Sequence, residues 1–165
     1  MITAASLSVL LSVCGGTSAP TPSAGAPQTV SSPQAQPQCD ASLWEHVYEP
    51  GRLKVMGACQ TVTGTITDQH SNADGDVDVR IAVDPAYANL LNAGNISGLS
   101  GHLQTEAICQ APPQTAESKA ACRNFAGSVV IPPDGTRVQV TGTYVLDTNH
   151  GWMELHPISD LRVIR

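Results

Sequence analysis

The chain has 165 residues and a formal net charge of −6, and its 14 acidic and 8 basic side chains all lie between Asp40 and Arg165. Its Lys and Arg are dispersed, and it has only one Phe, two Trp and three Tyr. That argues against nucleic acid as a partner, because such binding rests on clustered cations and stacking aromatics. Residues 39–165 carry all the charge and match a common domain size, long enough to bury a core without help from cysteines.

Residues 1–14 read as a signal segment. Ile2 to Val13 is an uninterrupted, weakly apolar run of 12 residues. It is shorter than the roughly 20 residues a bilayer span needs and has the length of a signal-peptide core. The run ends Leu11-Ser12-Val13-Cys14, which resembles the bacterial lipoprotein signal, and the resemblance implies that Cys14 is lipidated. Val13 stands where a smaller residue is usual, and no Lys or Arg precedes the run, which points to a start further upstream. A cleaved secretory signal, giving a secreted or periplasmic protein, is the alternative. Residues 15–38 are rich in Pro, Ser, Ala, Gln and Thr and carry no charge. Such a segment cannot repay the entropy of ordering and is expected to be a disordered tether, reaching up to ~70 Å if extended. Lipid, tether and domain in that order imply an exported protein held at a membrane.

Four cysteines remain in the domain: Cys39, Cys59, Cys109 and Cys122. An even number in an extracytoplasmic setting points to disulfides, with three connectivities open. Cys39–Cys59 and Cys109–Cys122 close the shortest loops and are the expected pairs, each contributing about 3 kcal/mol through loop closure. A zinc site competes with this, but there is no CxxC pair.

In chain order, Asp40–Pro50 places Leu43, Trp44, Val47 and Tyr48 at helical spacing and predicts a turn or two of helix, with His46 at the surface. From Arg52 the period becomes two. A strand is expected through Thr67, bent at Gly57 or Gly64, followed by a turn over Asp68–Gly75. Asp76–Val83 alternates, with Val77, Val79, Ile81 and Val83 inward. Asp84 is expected to cap a short helix that opens on Pro85. Gly101–Gln110 reads as a strand, and Ala111–Ala126 as a loop with a helical turn near Glu117–Arg123. Ser128–Ile131 is a short apolar run. Strands follow at Arg137–Leu146 and Trp152–His156, with Ile158–Ile164 finishing the chain. About five strands with one or two short helices predict a mostly β fold, a small OB-like Greek-key barrel over residues 39–165. A small β-sandwich is the alternative.

The most distinctive stretch is Asp147-Thr148-Asn149-His150-Gly151-Trp152-Met153-Glu154-Leu155-His156-Pro157. It resembles a family of small bacterial exported or lipoprotein OB-like domains that share D-x-x-H-G-W-x-E-[IL]-H-P, with an acidic D-G-D upstream, here Asp74-Gly75-Asp76. The resemblance spans roughly Arg52 to Ile164 and implies one barrel domain. It carries no activity with it.

As a hairpin, this stretch sends Met153 and Leu155 to the core and presents Trp152, Glu154 and His156 together, with Asp147 and His150 at the turn. Carboxylates beside imidazoles can ligate a metal or form an acid–base pair, and His150, Glu154 and His156 are the candidate ligands. Asp76 and Glu106 join the cluster if their strands are neighbours. The same residues also fit a purely structural role: Asp147 capping the turn, Glu154 paired with an Arg or His, His156 hydrogen-bonded to a strand carbonyl. Asp74-Gly75-Asp76-Val77-Asp78 lacks the ligand pattern of a calcium loop. His70 and His102 stand alone, and Asn95-Ile96-Ser97 is a formal glycosylation sequon. No GxSxG, Walker A, GxGxxG or HExxH string occurs. The expectation is therefore a monomeric, membrane-tethered envelope module that binds an unidentified ligand or protein. The alternative is a metal-dependent hydrolase using the hairpin cluster Asp147, His150, Glu154 and His156.

Overall fold

The computed structural model describes residues 38–165. The signal-like segment, Cys14 and all of the tether except Gln38 lie outside the described residues. The domain is mostly β, with short helices between the strands. Strands β1 (Leu53–Ser71), β2 (Val77–Val83), β3 (Leu103–Ala107), β4 (Arg137–Asp147) and β5 (Trp152–Val163) close in the order β1-β2-β3-β5-β4. Helix α1 (Ala93–Gly98) lies between β2 and β3, and α2 (Ala116–Ala121) between β3 and β4. Short 3-10 helices cover Ala41–His46, Pro50–Arg52 and Pro85–Leu90.

Closure depends on β1 serving two neighbours. Leu53 to Thr65 pairs with β4, while Gly64 to Ser71 pairs with β2. Register shifts between Val55 and Gly57, Gly57 and Gln60, and Ile66 and Asp68 supply the bending that a single strand needs for this. At the crossover, a Cβ on Gly64 would meet the Ala82 carbonyl oxygen at 2.5 Å and the Val83 Cα at 2.9 Å, so the close approach requires glycine there. The last seam is parallel, Gln104 opposite Glu154 and Thr105 opposite Leu155.

Inside, Val62, Ile66, Val79, Ile81, Leu103, Val138, Val140, Leu155 and Ile158 are at most 1% exposed. Removing each such side chain from water is worth roughly 1.5–3 kcal/mol. A second, smaller cluster joins Val47, Leu53 and Val145, with Trp44 against it. The segment before β1 is thereby packed on the outside of β4. It is fixed there by Trp44 Nε1–H donating to Thr143 Oγ1 (3.3 Å), Asp40 N–H donating to Ser159 Oγ (3.0 Å) and the Cys39–Cys59 disulfide. The second disulfide, Cys109–Cys122, spans the loop that carries α2. His46 is held rather than free: its Nδ1 lies 2.9 Å from the Ala121 carbonyl and its ring stacks on Phe125.

Several boundaries differ from the sequence reading. The first strand continues to Ser71, because Asp68 to Ser71 find partners on β2, and the turn shrinks to Asn72–Asp76 with Gly75 at φ +99°. Asp84 stands at the N-cap of the Pro85–Leu90 helix with Pro85 opening it, but its side chain makes no cap bond. Its carboxylate instead bonds the Thr63 hydroxyl and the Arg137 guanidinium, an ion partner outcompeting the backbone amides. Capping appears one element later, where Asn92 and Asn95 bond each other's backbone amides at the start of α1. Within the apolar run Ser128–Ile131, Val130 is 81% exposed. The last strand runs unbroken through Pro157, which follows a cis peptide bond.

Candidate functional site

Strand alternation divides β5 as the hairpin pattern predicts: Met153 and Leu155 join the core, while Glu154 and His156 take the opposite face. That face is not presented to solvent. Glu154 and His156 are fully buried, as is Asp147, and Glu106 and Asp76 are nearly so. The pairing explains how they meet. Glu106 on β3 sits beside β5 across the parallel seam, Asp78 on β2 is opposite Glu106, and Asp76 lies just before β2.

Arg52 completes the cluster. It lies at the end of the segment leading into β1, and its guanidinium is ion-paired with Asp147, with Glu106 Oε2 at 3.8 Å and Glu154 Oε1 at 4.0 Å. Beyond Arg52, Asp147 is saturated by local donors. Its Oδ1 accepts the Asn149 and His150 amides at 2.8 and 3.2 Å, and its Oδ2 lies 2.7 Å from His150 Nδ1. Burial opposes its ionisation, but His150, Arg52 and those amides together hold its pKa below the usual carboxylate range.

The imidazole of His156 lies between two carboxylates, with Nδ1 2.8 Å from Glu106 Oε2 and 3.2 Å from Glu154 Oε1. Burial disfavours its charge, yet Glu106 and then Glu154 favour it more strongly, pushing the imidazole pKa up to about 10. Glu106 is correspondingly held low, against burial, by His156 and Arg52. Glu154 is pushed up, mainly by burial, and its Oε2 accepts the Trp152 indole N–H at 3.1 Å. Burial raises Asp76 to about 7 and Asp78 to about 6. The Cys109 amide opposes the first shift, and His70, Gln104 and Asn72 oppose the second.

The structure thus brings together Asp76, Glu106, Asp147, Glu154 and His156, and places His150 and Trp152 at the cluster's edge, bonded to Asp147 and Glu154. The His150 side chain is 51% exposed and stacks on the Trp152 ring at 4.4 Å between centroids and 3° between planes. His150 is not grouped with His156 as a ligand. The mutually close donors among the described residues are Asp76, Glu106 and His156, and Asp76 with the disulfide-bonded Cys109 and Cys122. Chemically, this is a charge network sealed from water, with four carboxylates within reach of one guanidinium and one imidazole.

Sequence reasoning missed Arg52, which offers no more signal than any lone basic residue before a strand. It also missed Asn95, met only as a sequon. Asn95 is fully buried. Its Nδ2 donates to the His102 and Met153 carbonyls at 3.0 and 2.8 Å, and its Oδ1 accepts the Met153 amide at 2.9 Å. Four surface clefts lie elsewhere. One, of about 510 Å³, is walled by Trp44, Val55, Ala58 and Thr143 beside the Cys39–Cys59 disulfide, and none of the four is lined by Glu106, Glu154 or His156.

No family model matches the chain. A stretch of 82 residues is 30% identical to the large ribosomal subunit protein uL1 of Porphyromonas gingivalis, in two strains, covering 48% of this chain and 35% of the ribosomal protein. The chain therefore spans about a third of the length of the curated relative it matches. The side chains that carry chemistry here divide into a closed interior of acids, Arg52 and His156, and an open edge formed by His150 on Trp152.

Proposed function

We propose that the chain is an OB-like binding module of the bacterial cell envelope, tethered to a membrane through Cys14 and acting by its surface rather than by turnover. The strand order, with an antiparallel β1–β2–β3 meander, a parallel β3–β5 seam and a β4–β5 hairpin, supports the OB-like assignment. Two disulfides support an oxidising compartment.

One observation carries the choice of binding over catalysis. Glu154 and His156 are fully buried and tied to each other, Glu106 and Arg52, so a substrate has no access to them. The part of the motif that solvent reaches runs from Thr148 to Trp152 on the β4–β5 turn and carries the His150–Trp152 stack. In OB-like barrels this turn, with the β1–β2 turn, borders the strand face where ligands are bound.

The test is a turnover assay on the purified full chain, using chromogenic phosphodiester, carboxylic ester and glycoside substrates with Mg, Mn, Ca or Zn added. Rates no higher than buffer are expected. Hydrolysis that disappears in a folded His156→Gln variant would overturn the reading and favour the metal-dependent hydrolase.

A further inference from the structure

Two buried polar atoms of the sealed cluster have no hydrogen-bond partner: Asp76 Oδ2 and His156 Nε2. Each belongs to a side chain whose other end is fixed. Asp76 Oδ1 accepts the Cys109 amide at 2.7 Å, and His156 Nδ1 faces Glu106 and Glu154. Asp76 is 1% exposed and His156 not at all, so water outside the protein does not satisfy either free end. Leaving such atoms bare is costly to a fold. Asp76, Glu106 and His156 nevertheless each offer a ligating atom within 4.8 Å of the other two.

We propose that these three residues enclose a divalent-cation site, with Asp76 Oδ2 and His156 Nε2 as direct donors, the cation displacing the Nε2 proton to solvent, and Glu106 as the carboxylate that fixes the ring through Nδ1–H. Carboxylate, imidazole and metal in line is how proteins commonly orient a ligating histidine. The Cys109 amide, beside the Cys109–Cys122 disulfide, holds the other oxygen of the donor carboxylate. Those cysteines are joined to each other and so supply no thiolate. A cation moves the cluster toward neutrality, because carboxylates outnumber cationic groups there. One imidazole and one carboxylate select a transition metal such as Zn or Mn over Ca, whose ligands are oxygens. Burial makes the ion a structural element that ties the β1–β2 turn to β3 and β5, and the site does not depend on whether the module turns anything over.

The experiment uses the untagged full chain, stripped with chelator, reloaded with Zn or Mn and desalted. Metal per chain is measured by mass spectrometry, and the ion is located by anomalous diffraction at the metal edge. One ion per chain between Asp76 and His156 is expected. Asp76→Asn and His156→Gln are expected to weaken binding at least about tenfold, with His102→Ala unchanged. No retained metal, an ion held elsewhere, or a water between the two free atoms would overturn the proposal. The diffraction arm decides the matter on the native chain even if the variants fail to fold.

Discussion

Arg52 and Asp147 are ion-paired across 95 residues of sequence, and the Thr148 amide and hydroxyl both donate to the Arg52 carbonyl, at 2.9 and 2.8 Å. One residue thus pairs with buried acids and fastens the β4–β5 turn. Arg52→Met keeps the length of the stem and removes the charge, leaving Asp147, Glu106 and Glu154 without their guanidinium. Urea unfolding is expected to show a loss of about 3–5 kcal/mol, as for other broken buried pairs. The Arg52→Met/Asp147→Asn double variant should recover part of it. If the single variant unfolds like the native chain, Arg52 does not hold the cluster.

Asn95 links α1 to β5 without any charge. Asn95→Ala strips the Met153 amide and two carbonyls of buried partners, a loss on the order of 3 kcal/mol. Thermal melting gives the magnitude, and hydrogen exchange at the Met153 amide gives the location. Protection there that survives the substitution would mean that another group takes over the bond.

Each disulfide closes a short loop, with sequence separations of 20 and 13. Replacing both cysteines of the Cys109–Cys122 pair by serine is expected to cost about 3 kcal/mol. Melting with and without reductant checks this: reductant should lower the midpoint of the native chain and have a smaller effect on the Cys109→Ser/Cys122→Ser variant. Equal sensitivity in the two proteins would show that the other bridge carries the effect.

Asp84 supplies the pH dependence. The Arg137 and Thr63 hydrogen bonds lower its pKa to about 2 in the folded chain. A lowered carboxylate pKa gives stability that is fully present above the unfolded value, near 4, and is lost as pH falls through about 2. The melting gap between the native chain and Asp84→Asn should therefore be open at pH 6 and largely closed by pH 2. A gap independent of pH would place the effect in shape rather than charge.

Alternation made the inward faces legible. Val79, Ile81, Met153 and Leu155 are core residues because every second side chain must leave water together. The pairing of the cysteines followed from loop size. The covering of the outer face was not legible. Period two assigns Glu154 and His156 to a face, but it says nothing of Arg52, which arrives from a segment packed by Val47 and Trp44. Nor does a local pattern show that Asp84 gives up its cap for Arg137, 53 residues away. The extension of β1 to Ser71 had the same cause, since polar residues in a strand are fixed by their partners rather than by their own propensity.

The parallel seam between β3 and β5 has a kinetic consequence. β1 and β3 each lack a neighbour until β4 and β5 arrive, so a chain shortened before Arg137 leaves Val62, Val79, Ile81 and Leu103 facing water on an open sheet. Contacts of such long sequence separation make for slow folding. The closed sheet can therefore form only once the final strand is available.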